Sequence, residues 1–205
     1  MKRRSTTKDE PVLKSDKTED DTSSTTISTS YEEFRPLIGA HVSAAGTYSN
    51  SLKNAIEINA TCFALFVKSQ RTWRARDFKP SEIKEFKELA TLHNFPPTSI
   101  VAHGTYLVNL ASSDASLFTK SLDGLQLELQ RCSALGIGYL NIHPGSTKGD
   151  QTHLKGCIQV AKAITTALEN TDTFCRESDC LTSILLENTV GAGDTLVVPL
   201  KNLPQ

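Results

Sequence analysis

The chain has no apolar run near the ~18 residues that a membrane-spanning helix requires, and its N-terminus lacks the apolar core of a secretory signal. Its five cysteines, Cys62, Cys132, Cys157, Cys175 and Cys180, are odd in number, scattered and without a CxxC pair. That disfavours a disulfide framework and points to free thiols in a reducing compartment. No GxGxxG follows the first β-like run, so a dinucleotide-binding fold is disfavoured. Net charge is almost absent, at -1; this leaves a nucleic-acid partner open, because acids elsewhere can offset a local basic groove. The expectation is a soluble intracellular protein with no membrane partner.

What is present is enough for one substantial core, 205 residues at 38% hydrophobic content. Residues 1–33 stand apart, dense in Ser, Thr, Lys, Asp and Glu and nearly free of large apolar side chains. Such a segment buries too little surface to offset the entropy of ordering and is expected to be a disordered tail. Its opening KRR is compatible with nuclear entry, and the many acids speak against a mitochondrial presequence. The nucleus is the expected compartment, with the mitochondrion or cytoplasm as alternatives.

From Phe34 onward short β-like runs alternate with helical patterns. Strands are expected over 37–43, 62–68, 98–104, 138–145 and 183–189, with helices near 49–59, 81–93, 114–135 and 151–170. Ser81 after Pro80 reads as the cap of the second helix. Leu117, Leu122, Leu125, Leu129 and Cys132 set the apolar face of the third, and Leu154, Ile158, Ala161 and Leu168 that of the fourth. TDTFCRESDC, residues 171–180, reads as a surface insertion, with Cys175 and Cys180 as free surface thiols. This alternation implies βαβ units and a parallel sheet.

Polar residues decide between a doubly wound sheet and a barrel. His41, His103, His143 and Glu187 fall at or just past the ends of expected strands one, three, four and five. Ligands spread over several strand ends suit a TIM (β/α)8 barrel, of which five strands and four intervening helices are expected here, an incomplete barrel over residues 34–205. Two imidazoles and a carboxylate suit zinc better than oxygen-loving ions such as manganese. Each histidine taken singly is open to a structural role, satisfied by nearby backbone. An ionised Glu187 at the mouth of an apolar strand is costly without a partner and tips the balance to a metal site. His41 is open as a ligand, a DNA contact or a support behind the ligands; His93 and His153, in or beside helices, are expected to be solvated. After the second strand, Lys68, Arg71, Trp73, Arg74 and Arg76 interleave basic and aromatic residues, a pattern suited to phosphate contact with stacking or wedging. The bland alternative is a solvated loop with Trp73 packed inward.

Five blocks, IGAHVSAAG, FALFVKSQRTW, HGTYLVNLAS, RCSALGIGYLNIHPGS and LLENTVGAG, resemble in order and spacing the endonuclease IV family of apurinic/apyrimidinic endonucleases, from about Pro36 to Gly193. The resemblance implies a TIM barrel, three zinc ions, double-stranded DNA with abasic sites as partner, and cleavage of the phosphodiester 5′ to the lesion in base excision repair. It implies that His103 and His143 ligate one zinc, and that Glu187 is the catalytic carboxylate bridging that zinc to a second. It also implies that Arg71, and Tyr106 with Leu107, enter the DNA. No oligomer is implied, and a monomer is expected.

The family's later ligand blocks, DTCH-like and HLND-like, have no counterpart after Glu187, where the chain has one acid, Asp194, and no histidine. The closing TLVVPLKNLPQ does not read as the next helix, so the end is expected to be truncated or altered from about residue 195. Two rivals remain open: a metal-dependent sugar isomerase barrel, and a non-catalytic DNA-binding or folding-incompetent remnant. With three ligands the chain is expected to hold at most one zinc and to cleave abasic DNA weakly or not at all. Zinc content of zero or one per purified chain, with little incision of an abasic duplex, is the expected result; three zinc ions and robust incision would contradict it.

Overall fold

The computed structural model describes residues 36–178, 180–190 and 192–196. The expected polar tail and the segment from 197 onward lie outside the described residues. Five strands alternate with four helices: β1 (Gly39–His41), α1 (Ser49–Glu57), β2 (Cys62–Leu65), α2 (Pro80–Leu92), β3 (Ile100–His103), α3 (Ala115–Leu135), β4 (Tyr139–Ile142), α4 (His153–Glu177) and β5 (Ser183–Leu186). A short 3-10 turn, Pro97–Ser99, leads into β3. Each strand is shorter than its expected run, because the flanking residues already turn into the loops.

All pairings are parallel and the order is β1-β2-β3-β4-β5. Strands that follow one another without reversal, joined by right-handed crossovers, put every helix on one face; a doubly wound sheet would reverse at a switch point. The fold is therefore an α/β barrel wall, five strands of it among the described residues, as expected.

Side-chain alternation along the strands divides the two faces. Phe63, Leu65, Ile100, Ala102, Leu140 and Ile142 are buried against the helices. Their neighbours Cys62, Ala64, Val101, His103, Tyr139 and Asn141 are only half-buried. The helices close the core with Leu52 and Ala55 from α1, Phe86 from α2, Leu125, Leu129 and Cys132 from α3, and Val160, Ala163 and Ala167 from α4. Each fully buried leucine or phenylalanine contributes about 1.5–3 kcal/mol.

Local chemistry starts and stops the helices. Asp114 caps α3 by accepting the Leu117 N–H at 2.9 Å, and Thr152 caps α4 by accepting that of Lys155. Gly136 ends α3 at φ 76°, a left-handed turn that a residue with a Cβ rarely adopts. The α2 start differs from expectation. Lys79 occupies the N-cap without a side-chain bond and Pro80 the first helical position, so Ser81 lies inside the helix.

Two further expectations are corrected in α4. The helix continues to Glu177, so most of the stretch read as an insertion is helical, and Cys175 is buried at 8% exposure. Its inner face consists of Gly156, Val160, Ala163, Ala167 and Thr171, while Leu154, Ile158 and Leu168 point outward. Both stripes run at helical spacing, but close packing selects the small side chains for the inner face, and at Gly156 a Cβ would stand 2.7 Å from Thr147 Cγ2 in the loop before the helix. Ala163→Leu is expected to destabilise the chain by about 1–3 kcal/mol through overpacking, and Leu154→Ser to change stability by no more than about 0.5 kcal/mol. Urea denaturation of the two variants checks the assignment, and the opposite ranking would reverse it.

Candidate metal centre and basic groove

Strand register builds the site. His103 ends β3 opposite Asn141 of β4, and Leu186 ends β5 opposite Ile142. His143 and Glu187 are thus each the first residue past their strands. The Glu187 N–H still donates to the Ile142 carbonyl at 2.9 Å, extending the ladder by one bond. Residues two apart on a strand share a face, so His103, Asn141, His143 and Glu187 converge on the half-open side of the sheet.

Glu187 Oε2 is the meeting point. It lies 3.0 Å from His103 Nε2 and 3.6 Å from His143 Nε2, and it accepts the Asn141 amide at 2.6 Å. Among the described residues, His103, His143 and Glu187 are the one group of three potential metal ligands, with their ligand atoms all within 4.8 Å of one another. A tetrahedral zinc with bonds of about 2.0–2.1 Å spaces its ligand atoms about 3.3 Å apart; the two observed separations bracket that value.

Proton placement adds a second argument. His103 Nδ1 is 2.8 Å from the Gly104 carbonyl, which can only accept, so Nδ1 carries the hydrogen in neutral imidazole. Nε2 then faces the Glu187 carboxylate at 3.0 Å, a contact that calls for positive charge, from a second proton on the imidazole or from a metal cation held between the two atoms. The donor set, two imidazoles and one carboxylate, fits zinc. Partial burial works to raise the Glu187 carboxyl, but the Asn141 hydrogen bond, the His143 charge and the His103 contact outweigh it. The group therefore sits below the ordinary glutamate pKa and is anionic at neutral pH.

Aromatic rings frame this cluster. Tyr106, 59% exposed, lies 5.4 Å from the His103 ring and 5.8 Å from that of His143, centroid to centroid. Phe66 stands 5.2 Å from His103 and 4.5 Å from His41. His41 itself is 6.3 Å from His103 and lies outside the group of three. Burial first, and then the His103 charge, lower its pKa. Leu107 is half-buried beside Tyr106, and His93 and His153 are exposed as expected.

A groove of roughly 1140 Å³ runs between the β1–α1 and β2–α2 loops, beside the cluster, with His41 and Phe66 on the shared wall. Arg71 and Arg74 line it with exposed side chains. Lys68, Trp73 and Arg76, the other members of the basic and aromatic run, have partners within the protein. Lys68 is only 6% exposed, with its ammonium 5.3 Å from the centre of the Trp73 ring. Arg76 stacks on Tyr48, donates to the Gly46 carbonyl at 2.9 Å and pairs with Glu82 at 3.0 Å. Behind this loop α3 carries two buried charged residues, Glu128 and Arg131, one helical turn apart. Arg131 donates to Tyr48 Oη, to the Val67 carbonyl and to the Arg76 carbonyl.

A sequence profile of the xylose isomerase-like TIM barrel family matches residues 52–195. The chain belongs to that family. Among solved structures, endonuclease IV from Thermus thermophilus is 29% identical with a TM-score of 0.64, aligned over 78% of this chain and 55% of that one. A D-tagatose 3-epimerase-like protein is 15% identical, at a TM-score of 0.55 over 77% and 55% of the two chains. A D-psicose 3-epimerase is 8% identical, at a TM-score of 0.54 over 78% and 55%. The two epimerase likenesses are of fold alone. The chain spans about half the length of the solved structures it matches, 55% of each of these three.

In this barrel family member, sequence reading located the three candidate ligands but missed Asn141, Phe66 and Glu128. Asn141 was within reach, since it precedes His143 by two and must share its face. Glu128 was also signalled, an acid set among Leu125, Leu129 and Cys132 on the apolar face of α3. Burial pushes its carboxyl from 4.5 up to about 7, against the Thr105 N–H and the charges of Lys68, His103 and Arg131. A raised folded pKa means that the folded chain keeps a proton the unfolded chain has lost. The associated stability is full below 4.5 and is lost as pH rises to about 7. Relative to Glu128→Gln, the metal-free wild type is expected to lose on the order of 3 kcal/mol between about pH 4 and 8. Urea denaturation across that range checks it, and a pH-independent difference between the two proteins would contradict it.

Proposed function

We propose that the chain acts on double-stranded DNA at abasic sites, by zinc-dependent hydrolysis of the phosphodiester 5′ to the missing base, in nuclear DNA repair. One observation carries the reading: the His103, His143 and Glu187 cluster lies beside an exposed tyrosine and an arginine-lined groove. The likeness to an endonuclease IV supports it.

When bound, zinc supplies positive charge that stabilises phosphoryl oxygens and acidifies water. The chain's own residues prepare the site for it. His103 is held in the tautomer that offers Nε2, and Glu187 is kept anionic by Asn141 and the two histidines. Arg71 and Arg74 are free to contact phosphates along the groove. The Tyr106 ring, with Leu107 next to it, offers an apolar wedge at the position where a missing base leaves a gap in the stack. Three ligands serve one zinc, so binding of abasic DNA is expected to exceed its cleavage by this chain.

A sugar epimerase is the second reading, favoured by the shared fold. A broad groove with two free arginines suits a polyanion better than a neutral sugar. Fluorescence anisotropy with duplexes containing a tetrahydrofuran abasic analogue, in the presence of zinc, separates the two. Preference for the abasic over the intact duplex is expected, and Arg71→Ala should weaken binding and lower the salt slope by about one. Equal affinity for both duplexes, or ketohexose epimerisation without DNA binding, would contradict the proposal.

A further inference from the structure

Glu128 lies on α3 behind the metal centre and is 1% exposed. Its Oε1 accepts the Thr105 N–H at 3.0 Å, while its Oε2 has no hydrogen-bond partner among the described residues. The Thr105 nitrogen and the Gly104 carbonyl belong to one peptide unit, and that carbonyl takes the His103 Nδ1 hydrogen at 2.8 Å. One peptide plane is therefore gripped by a carboxylate on its N–H side and by an imidazole on its carbonyl side. Gly104 is closely packed: a Cβ there would stand 3.0 Å from Ile142 Cγ2, 3.3 Å from the Asn141 carbonyl and 3.3 Å from Glu128 Oε2, so these neighbours would have to give way. Thr105 Oγ1 also donates to the Gln70 carbonyl at 2.9 Å, which ties the same peptide to the loop bearing Arg71.

A buried carboxylate with one unpaired oxygen is a costly way to satisfy a single backbone N–H, for which a neutral acceptor would serve. Its presence there points to a role beyond packing. Metal-ligating histidines depend on what holds their second nitrogen, usually a carboxylate or a carbonyl in direct contact. Here the carboxylate stands one peptide farther back, where it strengthens and orients the carbonyl.

We infer that Glu128 is a positioning residue of the metal centre, fixing through the Gly104–Thr105 peptide the orientation and the tautomer of His103. It rests on the proposed metal role of His103 and is independent of DNA cleavage. The removable feature is the hydrogen-bond acceptor. Glu128→Gln keeps one for the Thr105 N–H, whereas Glu128→Met, of similar length, does not.

Two readouts on the full chain test it, zinc affinity by competition with a chromophoric chelator and the ¹⁵N shifts of the His103 ring in the metal-free protein. Wild type is expected to carry a hydrogen on Nδ1. Glu128→Gln should match its zinc affinity within a few fold, and Glu128→Met should bind zinc about 10–100-fold more weakly, with mixed tautomers at His103 and an unchanged far-ultraviolet circular dichroism spectrum. Wild-type affinity with the Nδ1–H form in Glu128→Met, or equal weakening in both variants, would overturn the inference. If Glu128→Met fails to fold, the wild-type ring decides alone: an Nε2–H tautomer there would overturn it. A wild-type chain that binds zinc but ignores abasic DNA would remove the proposed function and leave this role intact.

Discussion

His103 Nε2 and the Glu187 carboxylate oxygen Oε2 face each other at 3.0 Å. In a folded chain that contact needs positive charge, a proton on the imidazole or a cation held between the two atoms. Much of the surrounding architecture serves to keep it. The Gly104 carbonyl holds the hydrogen of His103 away from the contact, Asn141 steadies the carboxylate oxygen, and the parallel register of β3, β4 and β5 fixes how far apart the strand ends lie. His143 approaches the same oxygen from the end of β4, at the distance a shared metal ion would set.

The second layer is carried by α3. Its apolar stripe packs the sheet, yet Glu128 and Arg131 interrupt it with charge. Arg131 binds the end of β2 and the loop beyond it, and Glu128 binds the loop after β3. Both loops carry the residues proposed to meet DNA, Arg71 in one and Tyr106 in the other. A single helix thus braces both loops and the peptide that His103 Nδ1 contacts.

How much of this could be read beforehand depended on the kind of signal. Strand and helix order was legible because apolar runs bounded by glycine and proline alternate with helical spacing, and His103, His143 and Glu187 were legible because strand ends are where such a fold gathers its ligands. The α4 face was not. Leu154, Ile158 and Leu168 form the more hydrophobic stripe, but Val160, Ala163 and Ala167 form the one small enough to approach α3, and hydrophobicity alone does not distinguish them. The basic run after β2 misled in a related way, since sequence gives charge without direction. Lys68 is buried under Trp73, and the exposed Arg76 is tied to Gly46 and Glu82, while Arg71 and Arg74 line the groove with exposed side chains.

Metal coordination at the strand ends is the claim on which the functional account stands, and anomalous diffraction at the zinc edge from crystals of the chain grown with zinc tests it most directly. The account predicts a peak about 2.0–2.2 Å from His103 Nε2, His143 Nε2 and a Glu187 carboxylate oxygen, with the His103 Nδ1 contact to Gly104 retained. Zinc-free density at the three side chains under saturating zinc, or a peak held by other residues, would contradict it.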